Sequence, residues 1–315
     1  MNKSFDILVV GELNIDIILD KIKGFPVIGK EILAKDLNVT LGSSSAIFAS
    51  NLCSLENKVA FLGKIGQDNF ANIIKTSLEK KNVITDLIIT TKDYKTGLTI
   101  VMNYEMNRAN ITFPGAMEHL YEEDISNDVL SKAKHLHISS VFLQTGLLNN
   151  IDNLFKRAKK LGLTTSMDPQ WDPSEEWNLN LEKTLPYIDV FLPNKEEFKL
   201  MTGSSDIKSG LEKIKSFANI VVIKDGENGA HLWDTKIMIS KPAFLNHQVV
   251  DCIGAGDSFD AGFISEYIKG KNLENCLEYG NIAGAVNTTS SGGTSAFKNL
   301  KTIKEIAKKK FLIQI

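Results

Sequence analysis

The chain has 315 residues, and its 36 Lys and Arg nearly balance 38 Asp and Glu, leaving a formal net charge of -2 and no electrostatic footprint for nucleic acid or a membrane surface. Cys53, Cys252 and Cys276 lie far apart without C-x-x-C spacing, so they support neither a disulfide framework nor a zinc site. These features predict one large domain over 1–315, in a reducing, cytoplasmic compartment, with small molecules rather than polymers as partners.

The first apolar run, in "MNKSFDILVVGELNID", is too short for a signal segment or a membrane span and reads as a first strand. Further β-rich runs stand at "VAFLG" (59–63), "HLHIS" (135–139), "LTTSMD" (163–168), "IDVFLP" (188–193) and "IVVIK" (220–224). Between most of them lie segments with apolar residues three to four apart: "SSAIFASNLCSL" (44–55), "NFANIIKTSLEKK" (69–81), "GLLNNIDNLFKRAKKLG" (146–162) and "IKSGLEKIKSFA" (207–218). This alternation predicts βαβ units, hence an α/β fold with a doubly wound, mostly parallel sheet flanked by helices.

Residues 14–40 and 86–113 break the pattern with short β-type pieces, "IDIIL", "TGLTIVMN" and "NITF", set off by Gly, Pro, Asn and Asp turns. They predict a small antiparallel flap inserted as a lid beside the main sheet. Its unpaired strand edges predict a homodimer joined through it.

The stretch "VVDCIGAGDSFDAGF" (249–263) places glycines and a carboxylate between a strand-like and a helix-like run. A dinucleotide fingerprint would need glycine where Phe259 stands, and the acid about twenty residues on would be Glu278, inside a helical run. A Walker loop is absent, because no Gly-Lys pair is followed by Ser or Thr. A third reading is a helix N-terminus whose backbone N–H groups at Gly254, Ala255, Gly256 and Asp257 form an anion hole for a transferring phosphoryl group. Asp257 would then take the proton of the attacking hydroxyl. Judged alone, the residues equally suit an ordinary strand-to-helix turn with Asp257 as a cap.

The run from Asp251 to Phe259 fits D-[TC]-x-G-A-G-D-x-F, and in this it resembles the C-terminal signature of the ribokinase-like, or PfkB, family of carbohydrate kinases. Similar segments occur in order at "VVGELNID" (9–16), "LGSSSAIFASNL" (41–52), "GKIGQDNF" (63–70), "FPGA" (113–116), "LPNKEE" (192–197), "IKDGENGA" (223–230) and "GNIAGAVN" (280–287). The resemblance implies an ATP-dependent sugar kinase that transfers the γ-phosphate to a hydroxyl of a sugar or sugar acid with Mg2+. It makes Asp257 the catalytic base and Gly254, Ala255 and Gly256 the anion hole. Asn14, Asp16, Gly42 and Ser43 would meet the substrate, with Arg108 reaching in from the flap. Asn194 and Glu197 would hold the magnesium and phosphate environment, Lys224, Gly226 and Gly229 would lie along the nucleotide, and Asn281 near its base or ribose. Asp251, the Ile253 carbonyl, Asn287, Ser290 and Gly292 match positions that bind a monovalent cation, K+, in some relatives.

Each of these residues also has a plain structural reading. Asn194 suits a helix cap, Lys224 a solvated turn and Arg108 a solvent-facing flap position. His135 and His137 share a strand face but lack a third metal ligand, which favours core packing, and Trp171 and Trp177 suit packing under a loop. Three departures from the family pattern bear on the substrate. Ser43 replaces a signature glycine, Ile47 stands where ribose-type members carry asparagine, and Asp168-Pro169-Gln170 replaces D-x-N. Ribose is therefore disfavoured and the pocket rim remodelled. The alternatives are a nucleoside kinase, which needs a base slot near Ile47 and Phe48, and a catalytically silent sensor, against which the intact Asp257 argues.

Overall fold

The computed structural model describes residues 3–104 and 107–314. In chain order the strands are β1 (Phe5–Val10), β2 (Asn14–Asp20), β3 (Asp36–Leu41), β4 (Val59–Leu62), β5 (Lys64–Gly66), β6 (Ile89–Thr91), β7 (Gly97–Tyr104), β8 (Asn107–Phe113), β9 (Ala133–Ser139), β10 (Thr164–Asp168), β11 (Val190–Phe191), β12 (Ile220–Lys224), β13 (Ala230–Trp233) and β14 (Met238–Lys241).

β1 shows why the sheet is covered on both faces. Its side chains alternate direction, so Ile7 and Val9 join one buried cluster with Phe48, Phe61 and Phe263, while Leu8 and Val10 join another with Leu136, Leu154 and Phe155. The main sheet runs β14-β13-β12-β11-β10-β9-β1-β4, parallel from β12 through to β4. This is the doubly wound, mostly parallel α/β architecture expected from the sequence. Strand order reverses at β1, whose neighbours β4 and β9 lie on opposite sides, and such a switch point opens a crevice at the carboxyl ends of the strands.

Several local expectations are corrected. β13 and β14 form an antiparallel hairpin at the sheet edge that the apolar pattern does not announce, because "AHLW" and "MISK" are short and half polar. β11 shrinks to two residues. The helix expected over 146–162 divides into Thr145–Leu148 and Ile151–Lys160.

The small sheet runs β3-β2-β7-β8. It is mixed rather than antiparallel, because β2 and β7 pair in parallel. A parallel pair needs a long crossover, supplied here by everything between β3 and β7, including β4 of the main sheet. β6, within the expected flap segment 86–113, instead pairs with β5 in a separate two-stranded sheet. Among the described residues, no helix is long and apolar enough to cross a membrane.

Candidate active site

The glycine stretch forms the start of the helix Ala255–Ile268. Gly254 is the N-cap with φ +74, and a Cβ there would lie 2.6 Å from the Gly293 Cα and 3.1 Å from Ile47, so both conformation and space call for glycine. Among the described residues no side chain caps this helix, in contrast to Asn194, Asp206 and Asn299, which each cap the helix that follows. The Ala255 N–H, expected in the anion hole, donates to the Cys252 carbonyl at 3.2 Å, which leaves the N–H groups of Gly256 and Asp257 for an anion. Asp257 is not the cap that the plain turn reading required. Its Oδ1 accepts from the Ser44 hydroxyl and from Gln170 Nε2 at 3.1 Å instead.

A clasp holds the loop ahead of this helix. Asp251 Oδ1 accepts from the Ile253 N–H at 2.9 Å, its Oδ2 accepts from the Gly292 N–H at 2.8 Å, and Asn287 Nδ2 donates to the Ile253 carbonyl at 2.6 Å. Four of the five residues expected at a monovalent-cation site are thereby joined. Ser290, half-buried, donates its backbone N–H to the Asn287 carbonyl at 3.3 Å.

Carboxylates crowd the floor of the crevice. Burial pushes Asp257 up to about 6, and the Asp168 charge adds to this, against the Ser44 hydrogen bond and the positive charges of Lys224 and Arg108. Glu12, two residues past the end of β1, is buried beside Ser45, accepts from its N–H and hydroxyl, and is pushed up by burial to about 7. The Lys224 ammonium at the end of β12 lies 2.8 Å from Asp168 Oδ2 and 3.0 Å from Asp260 Oδ2. Burial alone would lower it, but Asp168, Asp260 and Glu197 hold it above its ordinary value. Lys224 is therefore a buried ion-pair residue, not the solvated turn lysine of the plain reading.

On the acceptor side, the small sheet turns its polar face to the crevice. Asn14 Nδ2 donates to Asp16 Oδ1 at 2.9 Å and to Thr99 Oγ1 at 3.1 Å, which fixes the direction of the Asp16 carboxylate. Burial pushes Asp16 up to about 6, opposed by the Asn14 hydrogen bond and the charge of Arg108. A Cβ on Gly42 would collide with both the Asp16 carboxylate and the Asn14 amide, so glycine is required for this approach. Ser43 caps the helix Ser44–Ser54 with φ +71, which explains the glycine usual at this position. Its hydroxyl is anchored by the Ala46 N–H at 2.9 Å and the Glu12 carbonyl at 2.6 Å. Arg108 is exposed on β8 and lines the same cavity, of about 1360 Å³, as Asp16 and Asp257.

Asn194 and Glu197 form a reciprocal capping box, at 2.9 Å and 2.8 Å, so the cap reading of Asn194 is correct as far as it goes. Glu197 is nevertheless buried and pushed up to about 7, by burial and then by Asp168, which ties it to the charge cluster. Gly226, Gly229 and Asn281 do not line the cavity. Gly229 and Asn281 instead meet the same segment, where Asn281 Nδ2 donates to the carbonyls of Lys241 and Pro242 at 3.3 Å.

Sequence reasoning passed over Glu12, Ser44 and Asp260, whose roles arise from contacts across the fold. His135 and His137 are core residues, as expected. Ser166 bridges them at 2.6 and 2.7 Å, and burial keeps His135 neutral, down to about 3. Among the described residues, no three or more His, Cys, Asp and Glu side chains gather to hold a metal ion by themselves. Trp177 packs edge-on to Phe142 and Trp171, over a turn closed on Asp172. Trp171 is half exposed on the cavity wall. Phe48 is fully buried and stacks on His137 at 3.7 Å, so it offers no base slot.

An uncapped helix start with a buried carboxylate one turn in, opposite a sheet whose hydroxyl-seeking groups face it, is the equipment of a phosphotransferase with an alcohol acceptor. Residues 4–300 match the model of the pfkB family of carbohydrate kinases, and the chain belongs to that family. It is 31% identical over 237 residues to an uncharacterized sugar kinase of Archaeoglobus fulgidus, covering 74% of this chain and 92% of that one. It is 25% identical over 318 residues to 5-dehydro-2-deoxygluconokinase of Bacillus subtilis, covering 96% of each. The ribokinase of Thermotoga maritima superposes with a TM-score of 0.82 at 26% identity, over 97% of this chain and 100% of that one. The family, the ribokinase-like fold and the phosphotransferase class expected from the sequence are thereby borne out.

Proposed function

We propose that the protein transfers the γ-phosphate of ATP to a hydroxyl of a sugar or sugar acid, with Asp257 as base and the free backbone N–H groups of the Gly254–Asp257 turn, Gly256 and Asp257 foremost, as anion hole. The observation that carries this reading is the uncapped first turn at Gly254 with Asp257 buried beside it, lining the acceptor cavity. The acceptor hydroxyl would give its proton to Asp257 as its oxygen attacks phosphorus, while the helix start steadies the charge on the transferring group.

Asp16 and Asn14 would orient the acceptor's hydroxyls across Gly42 and Ser43. Arg108 would pair with an acidic end if the acceptor has one. The nucleotide would run past Lys224 toward Gly226, Gly229 and Asn281. Asp168 Oδ1 is buried without a partner among the described residues, and with Glu197 and Asn194 nearby it suits a hydrated Mg2+, which would neutralise phosphate charge when bound. The clasp at Asp251, Ile253, Asn287, Ser290 and Gly292 would take K+ through carbonyl and carboxylate lone pairs left over from its hydrogen bonds. Activity in K+ against Na+ tests that assignment separately.

The small sheet has a second face. Leu37, Val39, Ile111 and Phe113 on β3 and β8 are exposed on the side away from Asp16, and Phe25, Val27 and Ile28, in the segment that joins β2 to β3, are exposed as well. An apolar surface of this kind supports a homodimer through the lid. ADP release with MgATP and a panel of neutral sugars, sugar acids, sugar phosphates and nucleosides tests the function. Turnover with a sugar or sugar acid is expected. Turnover with nucleosides alone would replace this reading with that of a nucleoside kinase, and no turnover with any compound would favour a sensor.

A further inference from the structure

Gln170 occupies a place that the phosphotransfer reading alone does not require. It follows Asp168-Pro169 at the carboxyl end of β10 with φ +59, a conformation that persists in a side-chain-bearing residue only where its surroundings hold it. Its Nε2 lies 2.7 Å from Asp168 Oδ2, 2.8 Å from Ser44 Oγ and 3.1 Å from Asp257 Oδ1. A carboxamide nitrogen carries two hydrogens, so three acceptors compete for two bonds.

The Ser44 hydroxyl donates to the same Asp257 Oδ1. Both protein donors therefore meet one oxygen. Among the described residues no donor reaches Oδ2, although Asp257 lines the cavity. Asp168 Oδ2 also accepts from Lys224 Nζ at 2.8 Å. A continuous polar chain thus runs from the buried ammonium through Asp168 and Gln170 to Asp257.

We propose that Gln170, together with Ser44, is a positioning residue that pins Asp257 by Oδ1 and presents Oδ2 as the oxygen that takes the acceptor's proton. This rests on the assignment of Asp257 as base. In the step it serves, the acceptor O–H bond breaks and its proton passes to Oδ2. The freed oxygen pair bonds to phosphorus, and the bond from phosphorus to the bridging oxygen of ATP breaks to leave ADP. Gln170 keeps its protons throughout. Two donors on one oxygen restrain the carboxylate, and small misplacements of a reacting group are costly in rate.

The two donors also favour the ionised carboxylate. Other charges bear on Asp257 from each side: Asp168, Lys224 and Arg108 act on it, while Glu12, Asp16 and Glu197 feel its charge. Those are unchanged in Gln170→Met, which keeps the length of the side chain and removes the donor.

The test is carboxyl 13C NMR of aspartate-labelled protein without substrate, with Asp257 assigned through Asp257→Asn, alongside ADP release with the best acceptor from the panel. Gln170→Met is expected to raise the Asp257 midpoint above its wild-type value and to cut kcat by about 10- to 100-fold, with KM for ATP within about twofold. Ser44→Ala, acting on the same oxygen, is expected to move the midpoint in the same direction. An unmoved midpoint with wild-type kcat in both variants, while Asp257→Asn is inactive, would leave the kinase reading standing and overturn this one. A lower thermal transition or weaker ATP binding with no shift of the midpoint would also overturn it, since that is what a structural role gives. Wild-type turnover in Asp257→Asn would remove the base assignment itself.

Discussion

The helix start at Gly254 and the small sheet face each other across one cavity, yet they are built on opposite terms. Around Gly254 most polar side chains are buried or half-buried and bonded to one another, from the Asp251 clasp to the Lys224 cluster. The small sheet turns Asn14, Asp16, Thr99 and Thr112 to the cavity and leaves apolar side chains of its outer strands, Leu37, Val39, Ile111 and Phe113, exposed on its other face. Rigid, over-determined structure suits a step that depends on placing charge, whereas a thin, half-exposed sheet can change its side chains at little cost to the fold. Phosphoryl transfer and substrate choice would thus reside in different regions of this chain.

The comparison is sharpened most by removing the charge at the helix start. Asp257→Asn should lower turnover by about 10²–10⁴-fold with every acceptor, while ATP affinity measured by calorimetry stays within a few-fold. Next in size is Lys224→Met, which leaves the Asp168 and Asp260 carboxylates buried without their cation. A loss of about 3–5 kcal/mol in denaturant unfolding is expected. A loss below about 1 kcal/mol would show that the cluster does not hold the crevice floor together.

These two sites differ in how well the sequence announces them. The glycine signature makes the helix start legible, because a positive-φ glycine and an uncapped first turn are local properties. The apolar strands of the main sheet are legible for the same reason. Gln170 is not, since it meets Asp257 across 87 residues of chain and only the fold brings them together. Glu12 and Asp260 escape for the same cause, and Lys224 reads as a solvated lysine until its two carboxylates appear. In the small sheet, strand-forming pieces are plain in the sequence, but the parallel pairing of β2 with β7 is not, because direction depends on the crossover between them.

On the small sheet, Asp16→Ala should reduce kcat/KM for every accepted substrate by an amount equivalent to about 1–3 kcal/mol, since it leaves bound hydroxyls without their acceptor. Acidity separates the regions in another way. As the proposed base, Asp257 would have to be ionised to act, so kcat/KM should fall as pH drops through about 6. Stability should move the opposite way. Glu12 is raised from 4.5 to about 7 by burial, so the folded state binds the proton more tightly, and its contribution is full below about 4.5 and lost as pH rises through about 7. Glu12→Gln should flatten the stability profile in that window, and an unchanged slope would show that the buried carboxyl is not its source. The smallest effect on chemistry is expected from Ile111→Lys, on the exposed apolar face of the small sheet. Light scattering at micromolar concentration should show a dimer for the wild type and a monomer for the variant. A monomeric wild type would remove the homodimer.

The division of labour is tested most directly by one ratio, kcat/KM for a sugar acid over kcat/KM for its neutral counterpart, measured in the wild type, Asp257→Asn and Arg108→Ala. The account predicts a ratio unchanged by Asp257→Asn, despite its large uniform loss, and lowered by Arg108→Ala. A ratio shifted by Asp257→Asn, or equal losses for both sugars in Arg108→Ala, would contradict the separation of chemistry from substrate choice.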